Sequence, residues 1–213
     1  MLTYLIRHGE SNANAGERTE NESKIRLTEL GKLQAETTCR TLLNSDITRI
    51  VASSYPRAIQ TARPLAEKLN IPIEIWPIHE FSYLDPQVAN NTTQQERKKL
   101  REEFWGKMSV SWRHSAHTES FSEFLQRITW CKEQILATKE ITSIFGHGLF
   151  YTTMLITLHF PKSTEEEIMQ ETYRTIYSTA SNVRNGQVLK LIHNNGKWVS
   201  FPQIPGQQHN KEG

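Results

Sequence analysis

A chain of 213 residues with 37% hydrophobic and 23% charged residues has a globular make-up and argues against disorder. Its 25 Lys and Arg against 23 Asp and Glu leave a formal charge of +2, which excludes a broad basic surface for nucleic acid but not a local cationic pocket. A fold of this size buries roughly 70% of its unfolded surface and needs no disulfide or metal staple; Cys39 and Cys131 stand far apart, outside any CxxC pattern.

The chain opens on Met1-Leu2-Thr3-Tyr4-Leu5-Ile6, a short apolar run before Arg7. It lacks the leading charge and longer apolar stretch of a secretory signal, and no segment approaches the ~20 apolar residues of a membrane-spanning helix. A cytoplasmic protein with no membrane partner is expected. Residues 3–6 read as a buried strand, and 28–43 as an amphipathic helix with Thr28 as N-cap. Residues 49–52 predict a second buried strand. The helix at 56–69 then starts on Pro56 and sets Ile59, Ala62, Leu65, Ala66 and Leu69 on one face. Residues 71–76 predict a third buried strand.

From about 81 to 119 the rhythm breaks into a long charged stretch holding Gln94-Gln95-Glu96-Arg97-Lys98-Lys99, Trp105, Trp112, His114 and His117. It reads either as a solvated helix and loop covering the sheet edge or as an insertion or lid shaping a pocket. Ser120 with Glu123 forms a capping box ahead of Phe121, Phe124, Leu125, Ile128, Cys131 and Ile135. Residues 141–145 predict a fourth buried parallel strand, followed by an apolar helix at 149–158. Residues 182–192 and 197–201, around Asn194-Asn195-Gly196, predict a hairpin. Alternating strands and helices give an α/β fold: a three-layer α/β/α sandwich on a mostly parallel central sheet. One domain is expected over 1–201, with 81–119 as a helical and loop insertion over the active site and 202–213 as a polar tail.

Three strand ends carry reactive groups, and ligands of open α/β sheets bind at carboxyl ends of strands. Arg7-His8-Gly9-Glu10 follows the first strand, offering a guanidinium fork and an imidazole nucleophile. Ser53-Ser54-Tyr55-Pro56-Arg57-Ala58 follows the second, with Arg57 on a first helical turn where an anion meets backbone N–H groups. Phe145-Gly146-His147-Gly148 follows the fourth. A metal pair at His114 and His117 has no Asp or Glu nearby to complete it, so neither metal nor cofactor is expected.

These segments resemble the histidine phosphatase superfamily, the phosphoglycerate mutase-like fold. Arg7-His8-Gly9-Glu10 with Ser11 and Asn14 looks like its opening motif, and Leu27-Thr28-Glu29-Leu30-Gly31 through Gln34-Ala35 like its L-T-x-x-G-x-x-Q-A helix start. Ser53 to Ala62 resembles the S-x-x-x-R-A-x-x-T-A segment. Glu119-Ser120 with Arg127 is similar to the E-S helix, and Gly146-His147-Gly148 to the second histidine.

The resemblance implies a phosphatase acting through phosphohistidine. His8 attacks phosphorus, Arg7, Arg57 and His147 hold the phosphoryl oxygens, and Glu80, or Asp85 as second candidate, serves as acid and base. Asn14, Ser11, Tyr83 and Gly148 are expected to bind the substrate, a small phosphorylated molecule. Glu10 orients the nucleophile or forms a salt bridge. The alternatives are a mutase or sugar bisphosphatase of the same superfamily, or a catalytically silent phosphate-binding protein. Against the mutase, Glu80 is followed by Phe81-Ser82-Tyr83-Leu84 without Arg. Arg97, Lys98, Lys99, Arg101 and Arg113 read as a solvated face, supplying a second clamp only if the insertion folds over the site. Phe81, Tyr83, Trp105 and Trp112 hint at a substrate larger than a triose.

Overall fold

The computed structural model describes residues 1–178 and 183–203. In chain order it runs β1 (Leu2–Arg7), α1 (Glu29–Leu42), β2 (Arg49–Ser53), α2 (Pro56–Leu69), β3 (Ile73–Trp76), α3 (Pro86–Ala89) and α4 (Lys98–Lys107). It continues through α5 (Phe121–Ala137), β4 (Thr142–Gly146), α6 (Gly148–His159), α7 (Glu165–Tyr177), β5 (Val188–Asn194) and β6 (Lys197–Gln203). The strands form one mixed sheet in the order β3-β2-β4-β1-β5-β6. β3, β2, β4 and β1 are mutually parallel, and the β5–β6 hairpin adds antiparallel to β1.

Side chains alternate across the pleat, so each strand feeds two cores. Tyr4 and Ile6 join Ile50, Ala52 and Phe145 under α1 and α2; Leu5 joins Val51 and Ile144 under α5, α6 and α7. The expected sandwich follows. Helix starts are set locally: Thr28 Oγ1 accepts from Gly31 N, and Ser120 and Glu123 cap each other reciprocally. α7 begins on the same signature, Thr164 with Glu167.

Three sequence expectations change. β3 is the sheet edge rather than a buried strand: Ile75 is 52% exposed, and Glu74 takes two hydrogen bonds from Arg49. The hairpin's first strand starts at Val188, and its turn uses Asn195 and Gly196, both at positive φ. Asn182 and residues 204–213 lie outside the described residues, and Pro202 and Gln203 belong to β6 rather than to a tail.

The 81–119 stretch is anchored rather than solvated. Phe104 and Trp105 of α4 are fully buried, and Phe81 stacks on Phe124 of α5 with ring centres 4.5 Å apart. Each such aromatic contributes about 1.5–3 kcal/mol on burial, so this wall is part of the core.

Candidate active site

β1 lies beside β4, and β4 beside β2, with Ile6 paired to Phe145 and Ala52 to Phe145. Parallel register therefore brings the segments after all three strands to one sheet edge, which is where His8, Arg57 and His147 stand. His8 is buried, and its Nδ1 lies 2.7 Å from the Gly9 carbonyl oxygen. A nitrogen facing a carbonyl must carry the proton, so Nε2 presents its lone pair, which accepts from Arg57 Nε at 3.2 Å. Burial, then Arg57 and Arg7, hold the His8 pKa well below the ordinary value. The imidazole is thus neutral and nucleophilic.

The loop after β1 is locked from three sides. Gly9 N donates to Thr61 Oγ1, which itself donates to the Arg57 carbonyl, so α2 grips the His8 loop. Asn185 Nδ2 contacts the His8 and Gly9 carbonyls and Asn14 Oδ1 at 3.0–3.2 Å. Arg7 N donates to Gln187 O, Gly186 N to Arg7 O, and Arg7 Nη1 to Val183 O. Asn185 escaped the sequence reading; its trace there is an Asn-Gly turn signal.

The third grip is α1, which crosses the loop at two glycines. A Cβ on Gly9 would lie 2.4 Å from Gly31 O, and one on Gly31 would lie 2.0 Å from Glu10 O. Gly31→Ala forces backbone apart, and the expected cost is about 2–4 kcal/mol, read as a fall of roughly 5–15 °C in melting temperature. An unchanged melt would show that the crossing yields freely. Among the described residues Glu10 has no hydrogen bond to His8 and no salt bridge; its Oε1 accepts from Thr28 Oγ1 at 2.8 Å, fastening the same crossing.

His147 is fully buried behind His8, with ring centres 5.1 Å apart, and does not line the cavity. Ser53 Oγ takes the Tyr55 amide and faces His147 Nε2 at 2.8 Å. A hydroxyl holds two lone pairs, so Ser53 Oγ can accept from Nε2 as well as donate to it; where it donates, the imidazole proton sits on Nδ1. That Nδ1 and Arg7 Nε are both buried without a protein partner. An unpartnered guanidinium N–H near the His8 imidazole suits an oxyanion. Gly148 also stays off the cavity wall; a Cβ there would lie 3.0 Å from Arg7 Nε, so its bareness seats the guanidinium.

Glu80 lines the cavity, and its carboxylate accepts from Leu149 N and Phe150 N at the start of α6 and from Phe81 N. The loop before it is braced. Glu119 holds Arg127 through two bonds of 2.6 and 2.7 Å, and Arg127 Nη1 donates to the Pro77 and His79 carbonyls. Burial, then Arg127, pushes the His79 pKa down to about 4. Asp85 is no alternative acid: it caps α3 through Gln87 N and lies off the cavity.

The cavity measures about 240 Å³. Ser11, Asn14 and Tyr83 line it as expected, and Leu149 supplies a wall where Gly148 was expected. Asn14 Oδ1 is taken by Ser11 N, Ser11 Oγ and Asn185, which turns the amide so that Nδ2 keeps its donors. Arg97 and Arg101 also line it, against the reading of a solvated face, and so does Glu22, which the sequence did not single out. Lys98 and Arg113 do stay outside, pairing with Glu102 and Glu123. A larger groove between α1 and α2 gathers no imidazole, thiol or hydroxyl. His114 stands against Trp112 and His117 on Ser115, both away from the cavity.

The sequence matches the histidine phosphatase superfamily (branch 1) over residues 3–199. The chain belongs to this superfamily. Among relatives of the histidine phosphatase, "Probable phosphoglycerate mutase GpmB" of Erwinia tasmaniensis is 26% identical over 212 residues, covering 94% of this chain and 88% of that protein. A protein of the same name from Yersinia pestis is 29% identical over 74% of each chain. In fold, the histidine phosphatase is similar to the alpha-ribazole phosphatase of Shigella flexneri (TM-score 0.69, 20% identity, covering 97% and 96% of the two chains). It is also similar to a mycobacterial glucosyl-3-phosphoglycerate phosphatase (TM-score 0.70, 17% identity, 94% and 97%). Among the described residues, no helix is long and apolar enough to cross a membrane.

Proposed function

We propose that this histidine phosphatase hydrolyses a small phosphomonoester through a covalent phosphohistidine on His8. The observation that carries this is the His8 tautomer: a neutral, buried imidazole with its Nε2 lone pair against Arg57, close to an Arg7 Nε that has no partner among the described residues. Nε2 forms the N–P bond as the P–O bond to the substrate alcohol breaks in line, and Glu80 gives its proton to the departing oxygen. Arg7, Arg57 and Asn14 Nδ2, all on the cavity wall, donate to the equatorial oxygens, where charge accumulates, and His147 backs His8 from behind. Glu80, now a carboxylate, takes a proton from water. That oxygen attacks phosphorus, and the N–P electron pair returns to His8.

The arginines supply the field a metal would otherwise supply, so activity persists in EDTA. A panel of phosphomonoesters, each assayed with and without the chelator, tests both points. Activity lost in EDTA and restored by a divalent cation overturns the metal-free route. The cavity lies below the 300–1,000 Å³ usual for ligand pockets, which favours a compact substrate. Trp105 and Trp112 stay off the cavity, while Phe81 and Tyr83 line it with their rings packed against the core. Two buried thiols in separate cores, Cys39 and Cys131, fit a reducing cytoplasm.

A mutase is the second reading, and one observation favours it: Arg97 and Arg101 stand in the cavity that seemed to lack a second clamp from sequence. Product analysis with 3-phosphoglycerate separates the two readings. Release of inorganic phosphate supports the hydrolase, and accumulation of 2-phosphoglycerate supports the mutase.

A further inference from the structure

Two residues outside the cavity converge on the segment that carries Glu80. Glu119, just ahead of α5, and Arg127, on its second turn, are joined by bonds of 2.6 and 2.7 Å from Nε and Nη2 to the two carboxylate oxygens. Both side chains are only 15% exposed, so this fork-to-fork pair is largely shielded from water. Arg127 Nη1 remains, and it donates to the Pro77 and His79 carbonyls at 2.9 and 3.0 Å. The far side of Glu80 is held by the same pair. Glu119 N donates to Ser82 O at 3.0 Å, and Ser82 Oγ donates to the Glu80 carbonyl at 3.2 Å. The backbone is gripped on both sides of the acid.

Arg127 also orders the groups that meet the carboxylate. Its guanidinium carbon stands 5.3 Å from the Phe124 ring centre and 5.6 Å from that of Phe150. Phe150 N donates to Glu80 Oε1 at 3.2 Å. Phe124 stacks on Phe81, whose N–H reaches the same oxygen at 3.2 Å. Neither Glu119 nor Arg127 lines the cavity, so neither meets substrate.

We propose that Arg127, fastened by Glu119, is a positioning residue for proton transfer: it sets the Glu80 carboxyl group against the departing oxygen from outside the cavity. This rests on the reading of Glu80 as the acid and adds a remote requirement to it. A proton donor acts over a short reach, and a displacement of about 1 Å can cost about 10²-fold. Phosphoryl binding belongs to Arg7, Arg57 and Asn14, so the effect falls on protonation alone.

The test uses Arg127→Lys, which keeps the charge and loses the fork: one ammonium group cannot serve both Glu119 oxygens and both carbonyls. The probes are benzyl phosphate, whose leaving alkoxide needs a proton, and p-nitrophenyl phosphate, whose leaving phenolate does not. The expected loss in kcat/KM is about 10–10²-fold on benzyl phosphate and under about threefold on p-nitrophenyl phosphate. The competitive Ki of inorganic phosphate should stay within about twofold of wild type. In a Glu80→Gln background the same substitution should cost under about threefold on either ester, because the group it positions is gone. Glu119→Gln leaves the arginine in place and should show the same selectivity at smaller size. A merely structural role instead lowers both esters together and raises the Ki. That pattern, no loss on either ester, or a full Arg127→Lys loss in the Glu80→Gln background overturns the positioning role. A selective loss in Glu80→Gln alone would then leave the acid assignment standing. If Glu80→Gln loses equally on the two esters, the acid assignment falls and the positioning role falls with it.

Discussion

His8→Ala is expected to lower kcat/KM by about 10⁴–10⁶-fold on every phosphomonoester, since the reaction loses the atom that forms the N–P bond. No neighbour substitutes for it: His147 stands behind the cavity with Nε2 against Ser53. The His8 side chain meets its surroundings through two hydrogen bonds, to Gly9 O and from Arg57, so the variant is expected to stay folded. A chemical signature accompanies the rate. Wild type quenched in base after mixing with substrate labelled in phosphate should carry protein-bound label that is stable to alkali and lost in acid. His8→Ala should carry none. Retained turnover, or label persisting in the variant, would falsify the covalent route.

Glu80→Gln is expected to cost about 10²–10⁴-fold in kcat/KM for an alkyl monoester, the usual share of a positioned proton donor. The amide keeps the shape, and its oxygen can still accept from the start of α6, where Glu80 now meets Leu149 N and Phe150 N. What it loses is the proton for the departing oxygen. p-Nitrophenyl phosphate needs no such proton, because its leaving phenolate is stable, and kcat/KM reports the first step alone. Its loss should therefore be far smaller. Equal losses on the two substrates would make Glu80 structural and leave Glu22, the other carboxyl group in the cavity, to be tested as the acid.

Much of this site was readable because parallel sheets translate sequence into space. Arg7-His8, Arg57 and His147 each follow an apolar run, and strands that pair in register deliver those followers to one edge. The caps at Thr28 and Ser120 were legible for a local reason, each being satisfied within three residues. Arg97 and Arg101 were not, since a run of cations looks the same on a solvated face as on a cavity wall. Phe104 and Trp105, committed to the core against Phe81 and Tyr83, decide which way that helix turns. Glu22 and Asn185 sit in loops whose position depends on partners distant in sequence, Arg57 for one and the His8 loop for the other. The edge placement of β3 escaped because Ile73 and Ile75 suggest burial, while pairing on one side leaves Ile75 exposed. Gly148 follows His147 as read from the sequence, but it stands off the cavity wall and makes room for Arg7.

The His8 loop and the segment that clasps it lie far apart in sequence. β1 lies between β4 and β5, and Arg7-His8-Gly9 is clasped by residues 183–187. A fragment ending at residue 178 would contain every side chain assigned here to chemistry, from Arg7 to His147. It would lack the Gln187 and Val183 acceptors for Arg7, the Gly186 donor and the Asn185 amide. Contacts of such long sequence separation form late and slowly. The geometry around His8 is therefore completed only when residues 183–187 close on its loop.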